Sequence, residues 1–201
     1  MTPTYYVTCG TTHLCQQVMR NVSGRENISK DNGFVVAVLD HRSKKDPWLV
    51  AGAMWPRNIT WLAKIEICDR TACGSALKEY GCPKLLIPSI AGTVVGFVNN
   101  HGVLPVERDT IGSKVNLDTY RKSRDILEKG GVIGIFVTGG TNREGLASSL
   151  FVGIAKGSNV PILPVRISTQ GRVSISKPYN LPEGPLSKAE RDKIAKEIVG
   201  C

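Results

Sequence analysis

Three apolar runs, each bounded by turn-forming residues, organise the chain: "FVVAVL" at 34–39, "VIGIFV" at 132–137 and "VPILPVRI" at 160–167. Their hydrophobicity is continuous rather than alternating, which is the pattern of strands buried on both faces of a sheet. Helix-like stretches separate and follow them. "NLDTYRKSRDILEKGG" (116–131) sets Leu117, Tyr120, Arg124 and Leu127 on one side, with Gly130 as a stop. "REGLASSLFVGIAKGS" (143–158) is similar and ends at Gly157. "LSKAERDKIAKEIVG" (186–200) opens with Ser187 and Glu190 at capping-box spacing, and Ile194, Ile198 and Val199 supply its buried side. Strands alternating with helices predict an α/β fold, a single domain with a mostly parallel central sheet flanked by helices. No repeat, low-complexity tract or linker interrupts the chain. The expected division is a short N-terminal segment (1–21), a core (22–180) and a C-terminal helix (186–200).

In folds of this kind, functional residues gather where strands end and loops begin. His41 follows the first run, Thr138 and a group of glycines follow the second, and Pro164 to Ser168 close the third. The first of these breaks is the most informative. "FVVAVL" gives way abruptly to Asp40, His41, Arg42 and Ser43, with an Asp46–Pro47 pair just beyond. Four residues between His41 and Asp46, in a turn or first helical turn, bring a carboxylate back to an imidazole nitrogen. Such a pair fixes the histidine tautomer and steadies the imidazolium that forms when the ring takes a proton. The apolar stretch "WLVAGAM" (48–54) continues as a helix, for which Pro47 is well placed in the first turn. A polar strand-to-helix turn without chemistry is the bland reading of the same spacing.

Charge narrows the partners. The chain carries 26 Lys plus Arg against 17 Asp plus Glu, a net charge of +9. It therefore favours anionic company: phosphorylated metabolites, acidic lipid headgroups or nucleic acid. There is no basic run with interleaved aromatics, so nucleic acid is not expected as a partner. The cysteines at 9, 15, 68, 73, 82 and 201 include no C-x-x-C pair, and His13 and His101 have no second ligand at metal spacing. No metal site is expected, and the thiols read as reduced. The N-terminus lacks a basic region followed by an apolar one, so a cytoplasmic location without a signal peptide is expected. The nearest approach to a membrane span, "LLIPSIAGTVVGFV" (85–98), is interrupted by Pro88, Ser89 and Thr93. It falls short of the ~18 apolar residues that a span needs and reads as a core or interfacial segment. Each of Trp48, Trp55 and Trp61 reads as core before membrane-facing.

Four blocks in order resemble the glycerolipid acyltransferases, the family of 1-acylglycerol-3-phosphate acyltransferases. "DHRSKKDP" looks like that family's N-H-x-S-x-x-D-P, carrying its H-x-x-x-x-D pair as His41 and Asp46, and "GRENISKDNGFVVAV" resembles its lead-in. "GVLPVERD" (102–109) matches the glycine-hydrophobic-[DE]-R block that ends in Arg108. "FVTGGTNREG" (136–145) aligns without gaps on F-P-E-G-T-R-S-R-D-G, and "VPILPVRIS" (160–168) resembles V-P-[IV]-x-P-V. The blocks span roughly residues 22 to 180. Lys64 in "LAKIE" matches a basic position often present between the first two blocks.

The resemblance implies a glycerol-3-phosphate acyltransferase-like fold and transfer of an acyl group from acyl-CoA or acyl carrier protein to a phosphorylated lipid acceptor. His41 is then the general base and Asp46 its orienting carboxylate, with no covalent acyl-enzyme and no cofactor beyond the donor thioester. Arg108 holds the acceptor phosphate, and Ser43, Thr138, Gly139, Gly140, Thr141 and Arg143 complete the substrate-binding set. Peripheral association with an anionic membrane surface goes with lipid substrates.

The third block departs from the family. Val137 stands for its proline, Thr138 for its glutamate, Gly140 for its threonine and Thr141 for its arginine; Phe136, Gly139, Arg143 and Gly145 keep the pattern. "TGGTN" retains glycines that let backbone N–H groups approach an anion, and hydroxyls that donate to it. Arg143 supplies a charge two positions beyond the lost arginine. The departure points either to an acceptor other than lysophosphatidic acid, such as another lysophospholipid, an alcohol or an amine, or to reduced activity. The opposing reading is a non-catalytic relative that binds lipid or another anion. In the first block Asp40 replaces the usual asparagine and adds a second carboxylate next to His41 in sequence.

Overall fold

A computed structural model describes residues 7, 9–14, 21–41, 43, 45–79, 82–100, 102–107, 114–137 and 149–200. Seven strands occur among them: β1 (Val22–Ser23), β2 (Phe34–Val38), β3 (Ile59–Lys64), β4 (Leu104–Val106), β5 (Val132–Phe136), β6 (Ile162–Ile167) and β7 (Val173–Ile175). The helices are α1 (Asp46–Met54), the single turn α2 (Ile65–Cys68), α3 (Arg70–Glu79), α4 (Ile87–Asn100), α5 (Lys114–Glu128), α6 (Leu150–Gly157) and α7 (Lys188–Gly200). The chain divides into two compact units, one of Met1–Tyr6 and Thr60–Lys122, the other of Val7–Ile59 and Ser123–Cys201.

The second unit is built on the three apolar runs. They form β2, β5 and β6, with β2 in the middle and parallel to both neighbours: Val38 pairs with Phe136 on one side and Val165 on the other. All five residues of β2 are buried, as are Val132 to Ile135 of β5. A strand hydrogen-bonded on both sides and covered on both faces has no position for a polar side chain, which is why these runs do not alternate. β7 adds antiparallel to β6, and the short β1 pairs parallel to β7. The fold is α/β with a mostly parallel sheet and flanking helices. Between β1 and β2, Gly24 adopts φ 79°, and a Cβ there would lie 1.9 Å from the Ile175 carbonyl oxygen, so only glycine fits this turn.

Helices cover the sheet: α1 packs against β7, and α6 against β2 and α7. The capping box of α7 closes as its spacing predicts, with the Glu190 carboxylate accepting the Ser187 N–H at 2.7 Å and the Glu190 N–H reaching the Ser187 hydroxyl at 3.3 Å. Ile194, Ala195 and Ile198 are its buried residues, and Val199 is half-buried. The helix drawn over 143–158 is described only from Ser149 onward, where α6 ends at Gly157.

The face predicted for α5 is corrected. Leu117 is 50 % exposed and Arg124 points to Glu128 at the surface, whereas Thr119, Ser123 and Leu127 are buried. The Thr119 hydroxyl donates to the Pro105 carbonyl oxygen at 2.5 Å. Two small polar residues are buried on this helix, which a hydrophobicity pattern does not register. The helix stops as expected: Gly130 has φ 76° and the Gly131 N–H returns to the Ile126 carbonyl at 2.8 Å.

In the first unit β3 and β4 run parallel, Leu62 opposite Leu104, and α2, α3 and α4 pack on one another. The interrupted apolar stretch 85–98 is a helix from Ile87, with Pro88 in its first turn. Among the described residues, no helix is long and apolar enough to cross a membrane.

Candidate active site

The site is built where β2 runs out. The Leu39 N–H makes a last ladder bond to the Val165 carbonyl at 2.9 Å, and the chain then leaves the sheet through Asp40 and His41. Three residues on, the backbone reverses: the Asp46 N–H donates to the Ser43 carbonyl at 3.1 Å and α1 begins. Asp46 is the first residue of that helix, with Pro47 next in the turn where a missing N–H costs nothing. Its carboxylate oxygen Oδ2 accepts the Ser43 N–H at 2.7 Å and lies 3.1 Å from His41 Nδ1. One carboxylate thus ties the strand exit to the helix entry and orients the imidazole.

Burial makes this arrangement directional. The Asp46 side chain is 4 % exposed and the imidazole 21 %. An unpaired carboxylate so buried costs several kcal/mol, and here the Ser43 N–H, the imidazole and the helix N-terminus offset that cost. A carboxylate only accepts, so Nδ1 must carry the hydrogen. Nε2 of the neutral ring then presents its lone pair, the state a general base requires. On one face the ring meets Phe136, the last residue of β5, with centroids 4.2 Å apart and planes at 34°. That contact excludes water from one face and restricts rotation of the ring. The pair can take a proton from an incoming hydroxyl or amine and hold the charge that results.

Ser43 is exposed; its N–H serves Asp46 and its hydroxyl accepts the Lys45 N–H at 3.3 Å, so its visible work is in shaping the turn. The Asp40 carboxylate pairs with the Arg166 guanidinium at 3.9 Å. Arg166 also donates to the Val199 carbonyl of α7 at 2.9 Å. The structure therefore brings together His41, Asp46 and Ser43 from the first block and Phe136 from the third, while Arg166 of the fourth meets Asp40. Arg108, Thr138, Gly139, Gly140, Thr141 and Arg143 lie outside the described residues, as do Arg42 and His101. Lys64 ends β3 in the first unit and is exposed.

Two residues that touch the strand exit, Phe136 against His41 and Arg166 against Asp40, escaped the reading of the sequence. Phe136 was visible only as a letter of a motif, although an aromatic at the end of a strand adjacent to β2 is a natural wall for the imidazole. Arg166 had a clearer signal, being the single charge in the run "VPILPVRI". Elsewhere, His13 Nδ1 sits 2.8 Å from the Arg25 guanidinium and 3.0 Å from the Gly52 carbonyl. Among the described residues no group of three His, Cys, Asp or Glu is gathered to hold a metal ion. Trp61 is buried, and Trp48 and Trp55 are half-buried.

No protein-family model and no curated protein sequence matches the chain. Among solved structures, the chain is similar to the 1-acyl-sn-glycerophosphate (LPA) acyltransferase PlsC from Thermotoga maritima, at a TM-score of 0.55 and 21 % identity over 98 % of this chain and 77 % of that one. The likeness is one of fold.

Proposed function

We propose that the protein is an acyltransferase, and that it moves a fatty acyl group from acyl-CoA or acyl carrier protein to the hydroxyl of a lysophospholipid such as 1-acylglycerol-3-phosphate. The observation that carries this reading is the His41–Asp46 pair at the exit of a central parallel strand. The fold shared with an LPA acyltransferase supports it, as do the four sequence blocks. In the proposed reaction His41 Nε2 takes the acceptor's hydroxyl proton as the oxygen attacks the thioester carbonyl. The new C–O bond forms, the C–S bond breaks, and the thiolate leaves with the proton returned by the imidazolium. Asp46 holds the ring in the required tautomer and stabilises its charged form. Arg108 and the glycine-rich 138–143 segment are assigned to the acceptor phosphate, and the whole chain to one acyltransferase domain at the cytoplasmic face of a membrane.

The departures in the third block set acceptors that differ from lysophosphatidic acid around the phosphate beside lysophosphatidic acid itself, so the acceptor is found by survey. Thiol release is measured from acyl-CoAs and acyl carrier proteins with lysophosphatidic acid, other lysophospholipids, simple alcohols and amines as acceptors. Acceptor-dependent release that disappears in His41→Ala is expected. Absence of release for every pair, from folded protein supplied with anionic vesicles, overturns the reading in favour of a non-catalytic lipid- or anion-binding relative.

A further inference from the structure

A different part of the chain carries a surface of its own. α3 and α4 form a hairpin within the first unit, held at one end by the Arg70 guanidinium donating to the Pro88 carbonyl at 3.1 Å. Between the helices runs an open groove of about 560 Å³ whose lining includes Arg70, Lys78 and Lys84, together with Thr71 and Ser75, and among the described residues no carboxylate. The turn that leads into α4 places large apolar side chains in solvent: Leu85 is 90 % exposed, Leu86 49 % and Ile90 37 %. The turn itself is ordered, with the Leu86 N–H bonded to the Pro83 carbonyl at 2.9 Å and the Ile90 N–H to the Leu86 carbonyl at 3.0 Å.

A single exposed leucine calls for no explanation. Three large apolar side chains within six residues, beside three cations, form a patch that water solvates poorly and an anionic surface solvates well. We propose that this hairpin docks on an anionic lipid bilayer, with the Leu85–Leu86 turn entering the acyl region and Arg70, Lys78 and Lys84 meeting headgroup phosphates. The charge complementarity selects the occupant: an apolar protein partner has no use for three clustered cations, and a soluble anion has no use for the leucines. Hydrophobic side chains that enter the interface and basic ones that stay at the headgroups are the two halves of interfacial binding. The inference deepens the membrane association proposed above by naming the surface that makes it, and vesicle binding is read apart from thiol release, so either can fail without the other.

The full chain is sedimented with phosphatidylcholine vesicles, with and without about a quarter phosphatidylglycerol, at low and moderate salt. Binding is expected only to the anionic vesicles and is expected to weaken with salt. Lys78→Glu with Lys84→Glu should weaken it at least about twenty-five-fold, at roughly fivefold per lysine. Leu85→Asp with Leu86→Asp should weaken it at least about tenfold. All four side chains reach solvent, and a thermal melt of each variant verifies folding. Leu85→Trp reads insertion directly, through a blue shift of emission on anionic vesicles and quenching by brominated acyl chains. Equal binding by wild type and both double variants, equal binding to neutral vesicles, or an unshifted tryptophan overturns the proposal. Protection of the hairpin lysines from acylating reagent by inorganic phosphate, without vesicle binding, overturns it in favour of a soluble-anion site.

Discussion

The two ends of the same parallel strands use their polar residues in opposite ways. At the N-terminal ends of β2 and β5, Arg57 reaches four backbone carbonyls. Its guanidinium donates to Ser29 at 2.9 Å, to Asn32 at 3.0 Å, and to Lys30 and Gly130. It also lies 5.3 Å from the centroid of the Phe34 ring. Burial lowers its pKa, with Asp31 acting the other way. At the C-terminal ends, His41 has its Nδ1 side committed to Asp46 and one face against Phe136, yet keeps a fifth of its side chain in solvent. One end spends its donors on loop carbonyls and gains stability. The other fixes a group firmly while leaving part of it accessible, which is what chemistry requires.

This contrast is broken if substitutions at the two ends have similar consequences. The largest effect is expected from His41→Ala, which should lower acceptor-dependent thiol release by at least about a thousandfold, with a modest fall in melting temperature because Asp46 loses one partner and keeps the Ser43 N–H. A steady-state assay beside a thermal melt separates the two quantities. Asp46→Asn comes next, with release down about a hundredfold through loss of the tautomer and about 1–3 kcal/mol of stability lost from the buried network; chemical denaturation measures the second part. Arg57→Met should do the reverse, costing about 2–3 kcal/mol of stability while the purified, folded variant keeps wild-type turnover. A turnover loss in Arg57→Met larger than its fall in folded fraction would erase the division between the ends.

The smallest effect sharpens the comparison by testing a polar group at neither strand end. Ser187→Ala removes the α7 cap and should lower the melting temperature by about 2 °C. The Ser187 hydrogen bonds lower the Glu190 pKa. A carboxylate whose folded pKa is depressed contributes stability above its unfolded pKa, and loses it as pH falls through the folded value. The difference between wild type and Ser187→Ala should therefore be full at neutral pH and shrink in acid below the usual glutamate range. Melts over that pH series measure it.

Much of this was legible before any coordinates. The runs 34–39, 132–137 and 160–167 announced buried strands because a strand covered on both faces is almost wholly apolar, with Arg166 near the end of β6 the one charged exception, and that constraint is local. The α7 cap was legible because Ser187 and Glu190 are three residues apart and answer each other within one turn. The His41–Asp46 contact was legible for the same reason, since five residues span a single reversal. The buried face of α5 was not, because Thr119 and Ser123 are buried by what packs on them.

The sequence by itself determined the three central strands, the helices that follow them, the α7 cap and the short-range His41–Asp46 pair. Each rests on interactions within one helical turn, one loop reversal or one strand's own covering. Only the tertiary structure decided that Phe136 lies against the imidazole, that Arg166 meets Asp40, and that Arg57 closes the far end of the strands. Those contacts join residues far apart in the chain, and strand register sets the distances between them. No residue in such a pair carries a mark of its partner until the sheet brings them together.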